Sequence, residues 1–305
     1  MHLKLEDIAN SFGTVASDFT DDFVKLYKST DWSYEAVIGN DRDKLIIDLF
    51  EFLKKDSKKS GGIGSTIRWS NGWKENLDMY IKSNNIKDII PKFIRSNQPI
   101  RYKKEFIFPR DPNFELNYIR LIQKWMFHKY MSVCSSIHEF GCGSGIHLIA
   151  LSDMYPEKDL CGYDYVQPSI DLINTLSETI NPKLKGFLFN MLSPLDISID
   201  KDSCIFTFCA IEQLASKFHN FLEFILRKKP KICIHIEPTI ELYDSTNLID
   251  YTAVCFHKHR GYTVGLLPHL QELHKQQKIE LMKVHRMQFG SIRMEGYTQI
   301  IWRPI

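Results

Sequence analysis

The residues of this chain best placed to do chemistry lie in Ile137-His-Glu-Phe-Gly-Cys-Gly-Ser-Gly-Ile-His-Leu-Ile-Ala150. There a strand-like apolar run passes through three alternate glycines, Gly141, Gly143 and Gly145, into an amphipathic helical segment. Glycine permits positive φ and close approach of a ligand to the backbone, and the N-terminus of the helix that follows offers unpaired N–H groups to a carboxylate or phosphate. The dinucleotide-binding fingerprint would place its third small residue at position 146, which is Ile146, so the spacing argues against a nicotinamide oxidoreductase. The next apolar run ends in Cys161-Gly-Tyr-Asp164. That puts an acid at a strand C-terminus nineteen residues beyond Gly145, suited to accept hydrogen bonds from both hydroxyls of a ribose.

Such a loop needs a parallel sheet to hold it. From Ser136 onward short apolar runs alternate with helix-length segments, the signature of repeated strand-helix-strand units. The strands expected are 137–140, 159–163, 186–190, 203–208 and 232–237, all parallel. Two further strand-like runs, 278–288 and 296–302, flank Phe289-Gly-Ser-Ile-Arg-Met-Glu295 and predict an antiparallel hairpin that closes the sheet edge. Upstream, residues 4–55 read as helical, with Ile8, Phe12, Val15 and Phe19 at spacings of three and four. The stretch Lys58-Lys-Ser-Gly-Gly-Ile-Gly-Ser65 reads as a loop or hinge, residues 91–112 are punctuated by proline, and 114–130 forms one more helix. The fold class expected is therefore α/β: a Rossmann-like, mostly parallel seven-stranded sheet with an antiparallel C-terminal hairpin, preceded by a mainly helical cap. The division expected is cap over 1–113 and cofactor-binding domain over 114–305.

The acid-x-Gly-x-Gly-x-Gly loop that begins at Glu139, together with Asp164 at the end of the second strand, resembles the class I S-adenosylmethionine-dependent methyltransferases. The resemblance covers residues 136–305. It implies S-adenosylmethionine as cofactor and S-adenosylhomocysteine as product, with the methionine moiety near Glu139, Gly141, Cys142, Gly143 and Gly145. It also implies the ribose on Asp164, the adenine beside Tyr165, Asn190 and Met191, and the chain passing beneath the sulfonium at Cys209. Family members often carry an acid where Asn190 stands; an amide can still hydrogen-bond the adenine amino group. Glu212 and Gln213, just beyond Cys209, are cofactor or acceptor contacts on the same reading.

Methyl transfer is an in-line displacement at a sulfonium, so the enzyme chiefly aligns the acceptor and excludes water, and an alcohol acceptor also benefits from a base. Candidates for that base are His257 and His259 in Cys255-Phe-His-Lys-His-Arg-Gly-Tyr-Thr263, read as strand-like, and Glu237 at the end of the fifth strand. The alternative for the histidines is a solvated basic helix end. No Cys or acid cluster near them completes a metal coordination set, so no metal is expected. An aromatic and basic set, Trp69, Trp73, Arg101, Tyr102, Tyr118 and Arg120, with Arg260 and Tyr262, would line an acceptor pocket or dock the cap onto the core.

Composition narrows the acceptor class. With 39 basic against 37 acidic side chains the net charge is +2, which argues against bulk nucleic-acid binding. No Asn/Asp-Pro-Pro-aromatic motif follows the fourth strand, where Cys209-Ala-Ile-Glu212 stands. The expectation is a methyltransferase of a small polar molecule, such as an O-methyltransferase of a sugar or glycan precursor. An RNA or protein methyltransferase and a non-catalytic partner subunit stay open as alternatives, as does self-association into a homo-oligomer. Seven cysteines without a Cys-x-x-Cys pair, mostly inside apolar runs, predict buried thiols in a reducing compartment. No segment reads as a membrane span or signal, so a cytoplasmic protein is expected.

Overall fold

The computed structural model describes residues 1–60 and 62–305. The N-terminal part runs through α1 (Leu5–Phe12), α2 (Asp21–Lys28), the short strand β1 (Tyr34–Ala36), α3 (Gly39–Lys55) and α4 (Gly62–Ser83), then β2 (Ile100–Tyr102) and β3 (Glu105–Pro109). The segment read as helical thus holds three α-helices, with the short strand β1 between the second and third. Gly13, at φ 63°, closes α1 with N–H groups of Gly13 and Thr14 returning to Asn10 and Ala9 carbonyls, a left-handed cap that glycine adopts without strain. The Val15 side chain is left exposed. Thr20 caps α2 by accepting from the Phe23 N–H. The expected loop at 58–65 is likewise revised: from Gly62 the chain is already the 22-residue α4, while Gly61 lies outside the described residues.

A second, small sheet was not foreseen. β2 and β3 form a hairpin turned by Lys103 and Lys104, both at positive φ, the geometry that matches strand twist in a two-residue turn. β1 pairs with β3 on one side. On the other side β2 pairs with β10 (Phe289–Gly290), a two-residue strand from near the C-terminus. The order is β1-β3-β2-β10.

α5 (Phe114–Met126), continued by a π-turn over Phe127–Met131, leads into the main sheet. Its strands are β4 (Ser136–Phe140), β5 (Asp159–Asp164), β6 (Leu184–Leu188), β7 (Cys204–Phe208), β8 (Ile232–Glu237), β9 (Ile279–Arg286) and β11 (Thr298–Pro304). Their spatial order is β6-β5-β4-β7-β8-β11-β9. The first five are parallel, and β11 runs antiparallel to both β8 and β9, as the Rossmann-like reading expected. The crossovers are α6 (Ile146–Met154), α7 (Gln167–Thr179), α8 (His219–Lys228), α9 (Leu248–Arg260) and α10 (Leu266–Lys275). β4, β7 and β8 are buried along almost their whole length, as central parallel strands are, and β7 and β8 are mostly apolar in sequence. Strand order reverses between β4 and β7, and in such sheets the crevice outside the strand C-termini at that point is the natural ligand site. α1 packs on β9, and one apolar cluster joins Ile8, Phe12 and Phe23 of the N-terminal part to Trp125, Ile234 and Ile301. No helix among the described residues is long and apolar enough to cross a membrane.

Candidate functional site

At the switch point the glycine loop leaves β4 with Gly141 at φ 75° and Gly143 at φ 53°. Both positions also lack room. A Cβ on Gly141 would lie 2.4 Å from the Ala210 Cβ, and one on Gly143 would lie 2.6 Å from the Trp73 ring. The N–H groups of Gly141 and Cys142 donate to the Tyr163 carbonyl, and the Gly143 N–H donates to Asp164 Oδ2 at 3.0 Å. Asp164 Oδ1 accepts from the Val166 N–H at 3.2 Å. Asp164 is thus locked between the loop and the start of α7. Burial pushes its carboxyl up to about 6 against the backbone hydrogen bonds that favour the ionised form.

Glu139, on β4, is 1% exposed, and its Oε2 has no hydrogen-bond partner. Burial, and then the nearby Asp164, hold its carboxyl well above the usual range. An unpartnered buried carboxyl costs stability, so in a ligand site it points to an absent donor.

Three adjoining cavities converge here. One of about 440 Å³ is lined by Asp164, Tyr165, Phe189, Asn190, Met191 and Gln213, under Ser65 and Thr66 of α4. One of about 90 Å³ reaches Glu139, Cys142 and Gly143. The third, about 550 Å³, lies under the cap and is lined by Glu115, Glu212, Tyr262, Tyr297 and several basic side chains. Trp69, Trp73 and Cys209 line all three. The two indoles stack with centroids 5.6 Å apart, and each meets Phe93 edge-on at 6.3 Å. Cys209 adopts φ 52°, and its thiol donates to the Gly296 carbonyl at 3.5 Å. A non-glycine residue at positive φ is costly and marks a place where the chain is forced past something.

The third cavity has an acidic floor. Glu115 and Glu212 are both buried, and each leaves Oε2 without a partner. Burial pushes Glu115 up to about 7, against a hydrogen bond from Gln98. Burial and then Glu237 hold Glu212 well above the carboxylate range, opposed by hydrogen bonds with Gln213 and Tyr262 and by Arg260. Gln213 Nε2 donates to Glu212 Oε1 at 2.8 Å, leaving the other oxygen for a ligand.

No protein-family model matches the sequence, and no curated protein is similar to it. Solved structures do match. The (4+2)-cyclase SpnF is similar over 77% of this chain and 95% of its own, at 9% identity and a TM-score of 0.50. An O-methyltransferase from a trans-AT PKS multienzyme of Brevibacillus brevis, in complex with S-adenosyl-L-homocysteine, covers 63% of this chain and 73% of its own at 11% identity and a TM-score of 0.43. A SAM-dependent methyltransferase from Aquifex aeolicus covers 59% and 88% at 13% identity and a TM-score of 0.41. The fold is that of the class I S-adenosylmethionine-dependent methyltransferases. At such identities the likeness concerns the fold, so the residues themselves must answer whether the cofactor fits. They do: the 440 Å³ cavity lies within the roughly 300–1,000 Å³ of small-molecule sites, and Glu139 holds a buried carboxyl oxygen without a donor.

Gly141, Asp164, Tyr165, Asn190, Met191 and Cys209 line the 440 Å³ cavity, and Glu139, Cys142 and Gly143 the 90 Å³ one. Cys142 is 3% exposed, its thiol turned toward Ser169. Gly145 lines neither cavity; it is the left-handed N-cap of α6 and lies against Ile173. Of the acceptor set, Trp69, Trp73, Glu212, Arg260 and Tyr262 line the third cavity.

The other candidates are placed elsewhere. Residues 255–260 belong to helix α9, ended by Gly261, so the strand-like reading of this segment is corrected. On a helix His257 and His259 diverge by about 200°. His257 is fully buried with Nε2 at 2.7 Å from the Thr263 carbonyl, and burial lowers its pKa. His259 Nε2 meets the Asp56 carbonyl at 2.6 Å. Glu237 is sequestered too: Oε1 accepts from the Thr207 hydroxyl and the Ala210 and Ile211 N–H groups, and Oε2 from Glu212 N–H. It positions the turn that carries Glu212, and burial pushes it up to about 7. Arg101, 1% exposed, donates to the carbonyls of Ile249, Ile292 and Arg293 and to Thr252. It braces a cavity wall from behind. Tyr102 is buried in the small sheet, Tyr118 stacks on Phe289 and meets Ser11, and exposed Arg120 donates to Asn117.

Several lining residues went unread in the sequence: Glu115, Tyr297, Ser65, Phe93, Arg95 and Arg293. Glu115 sits in the first turn of α5, where an acid ordinarily serves the helix dipole. Only its burial separates the two roles.

Proposed function

We propose that this chain is an S-adenosylmethionine-dependent methyltransferase that methylates an oxygen of a small polar acceptor, of the kind represented by a sugar or related metabolite. A cyclase shares the fold, so the reading rests on the site. The observation that carries it is the junction: a cavity with a ribose-type acid and an unpartnered Glu139 meets, at Cys209, Trp69 and Trp73, a second cavity floored by Glu212 and Glu115.

When bound, S-adenosylmethionine supplies an electrophilic methyl group on a sulfonium. Glu139 would hold its ammonium group and Asp164 its ribose hydroxyls. Each Asp164 oxygen already accepts one backbone N–H and keeps a lone pair for a hydroxyl. Phe189, Met191 and Leu214 offer an apolar wall to the adenine. Trp69 and Trp73 exclude water from the junction. Glu212 is the base we assign. Its raised pKa makes it a weak acid when the cavity is empty, and a cation across Cys209 draws it toward the ionised form that accepts the hydroxyl proton. Five of the seven cysteines are buried free thiols, which supports a reducing, cytoplasmic setting.

The test is calorimetric titration with S-adenosylmethionine, S-adenosylhomocysteine and NAD, repeated with Asp164→Ala after a circular-dichroism check of folding. Micromolar binding of the first two, lost in the variant, is expected. Binding of NAD instead, or of none, would overturn the reading. A screen of hydroxylated acceptors for S-adenosylhomocysteine release then separates an enzyme from a subunit that only binds.

A further inference from the structure

The wall of the 550 Å³ cavity gathers Arg95, Arg260 and Arg293. Arg260 Nε lies 3.0 Å from Asp56 Oδ2, and its guanidinium lies over the Phe256 ring at 5.1 Å. Arg293 is half-buried with its guanidinium 4.0 Å from the centroid of Phe52. Stacking on aromatic faces holds a guanidinium in one orientation with its N–H edge free. Among the described residues, Asp56 is the sole acid ion-paired to any of the three. Burial, and then Arg95 and Arg260, disfavour the charged form of Arg293, while Asp56 opposes them. These cations therefore repel one another. Other basic groups on the same wall differ: Lys92 pairs with Glu75, and Arg68 donates to the Lys59 carbonyl and to Ser65.

The floor does not cancel this charge. Burial favours the neutral form of Glu115 and Glu212, so they oppose the arginines less than solvated carboxylates would. Like charges held around a concavity concentrate an anion there, and the fork of a guanidinium matches the two oxygens of a carboxylate or phosphate.

We infer that Arg95, Arg260 and Arg293 form an anion site, and that the acceptor is a small hydroxyl compound carrying a carboxylate or phosphate group at the end remote from the hydroxyl that is methylated. The word acceptor rests on the methyltransferase reading; the anion site does not. Arg260 was expected as an acceptor contact, but the partners that make it an anion site, Arg95 and Arg293, come from the proline-punctuated segment and the C-terminal hairpin loop and meet only in the fold.

The test uses the full chain, with and without saturating S-adenosylhomocysteine. Inorganic phosphate and acetate are titrated separately by calorimetry, with sodium chloride matching ionic strength. Saturable binding of one or both is expected, and the preferred anion identifies the acceptor's charged group. Arg95→Glu combined with Arg293→Met should weaken it by about tenfold or more, whereas Arg110→Met, at an exposed pair with Glu35, should not. Because Arg293 packs on Phe52, exposed Arg95→Glu is also measured alone, and it should weaken binding in the same direction. Absence of saturable binding to either anion, or wild-type binding by both Arg95 variants, would overturn the inference. Anion binding without S-adenosylhomocysteine binding would instead sustain this site and remove the methyltransferase reading.

Discussion

Replacing Glu139 with glutamine isolates one charge at constant shape. The side chain is 1% exposed and Oε2 has no partner within the protein, so the substitution breaks no hydrogen bond to that oxygen. Burial holds the carboxyl well above its ordinary range, which favours the neutral form that glutamine resembles. What is lost is a charge-assisted bond to the cofactor's ammonium group, worth about 1.5–3 kcal/mol. At about 1.4 kcal/mol per decade this is roughly 10- to 150-fold in affinity for S-adenosylhomocysteine. Methylthioadenosine, which lacks the ammonium group, should bind wild type and Glu139→Gln alike. The pH dependence has a definite sign. A ligand that favours the carboxylate binds more tightly as pH rises, until the free carboxyl is itself ionised. The variant should lose that slope and keep only the part near pH 6 that belongs to Asp164. Stability moves the other way. A carboxyl whose folded pKa is raised stabilises the fold fully below its unfolded pKa and loses that contribution as pH rises toward the folded value. Glutamine is spared this loss, so Glu139→Gln should melt no lower than wild type at neutral pH. Calorimetry with both ligands from pH 6 to 8.5 is the assay. An equal loss for both ligands, or none for S-adenosylhomocysteine, would refute the assignment of Glu139 to the ammonium group.

Two further outcomes follow from the same geometry. Glu212→Gln should lower kcat by about 10²–10⁴ and flatten the rise of rate with pH that ionisation of this buried carboxyl imposes; a wild-type pH profile in the variant would remove Glu212 as the base. Arg286 reaches Asp250 Oδ1 and Glu295 Oε2 at 2.6 Å each, with side chains 10%, 1% and 4% exposed. Arg286→Met would strand two buried carboxylates and should cost about 3–5 kcal/mol in urea unfolding, whereas a loss under about 1 kcal/mol would mean the network behaves as a surface pair.

What the sequence disclosed follows from periodicity and spacing. The β-α alternation after Ser136 located five parallel strands and the reversed hairpin because short runs rich in apolar residues recur there between helix-length segments. The cofactor side was legible because glycine at positive φ and an acid at a strand end are local requirements. The acceptor side was not. Glu115 and Glu212 differ from solvated acids only in being covered by distant segments, and the histidines of α9 looked catalytic until the helix turned them apart. Arg101 looked like a ligand contact yet is consumed by backbone carbonyls. β10 has two residues, too few for any period to register.

That two-residue strand has a consequence for how the protein could be re-engineered. By pairing with β2, it sews the loop between β9 and β11 into the N-terminal sheet, and the same loop presents Arg293, Met294 and Gly296 to the 550 Å³ cavity. The lining of that cavity is therefore shared between both ends of the chain. Grafting residues 1–113 onto another sheet of this fold would carry Trp69, Trp73 and Arg95 but leave half the pocket behind. Trimming them away would strip from Phe289 and Gly290 the backbone edge that β2 supplies. Reshaping this cavity, by evolution or by design, has to change two distant stretches of sequence together.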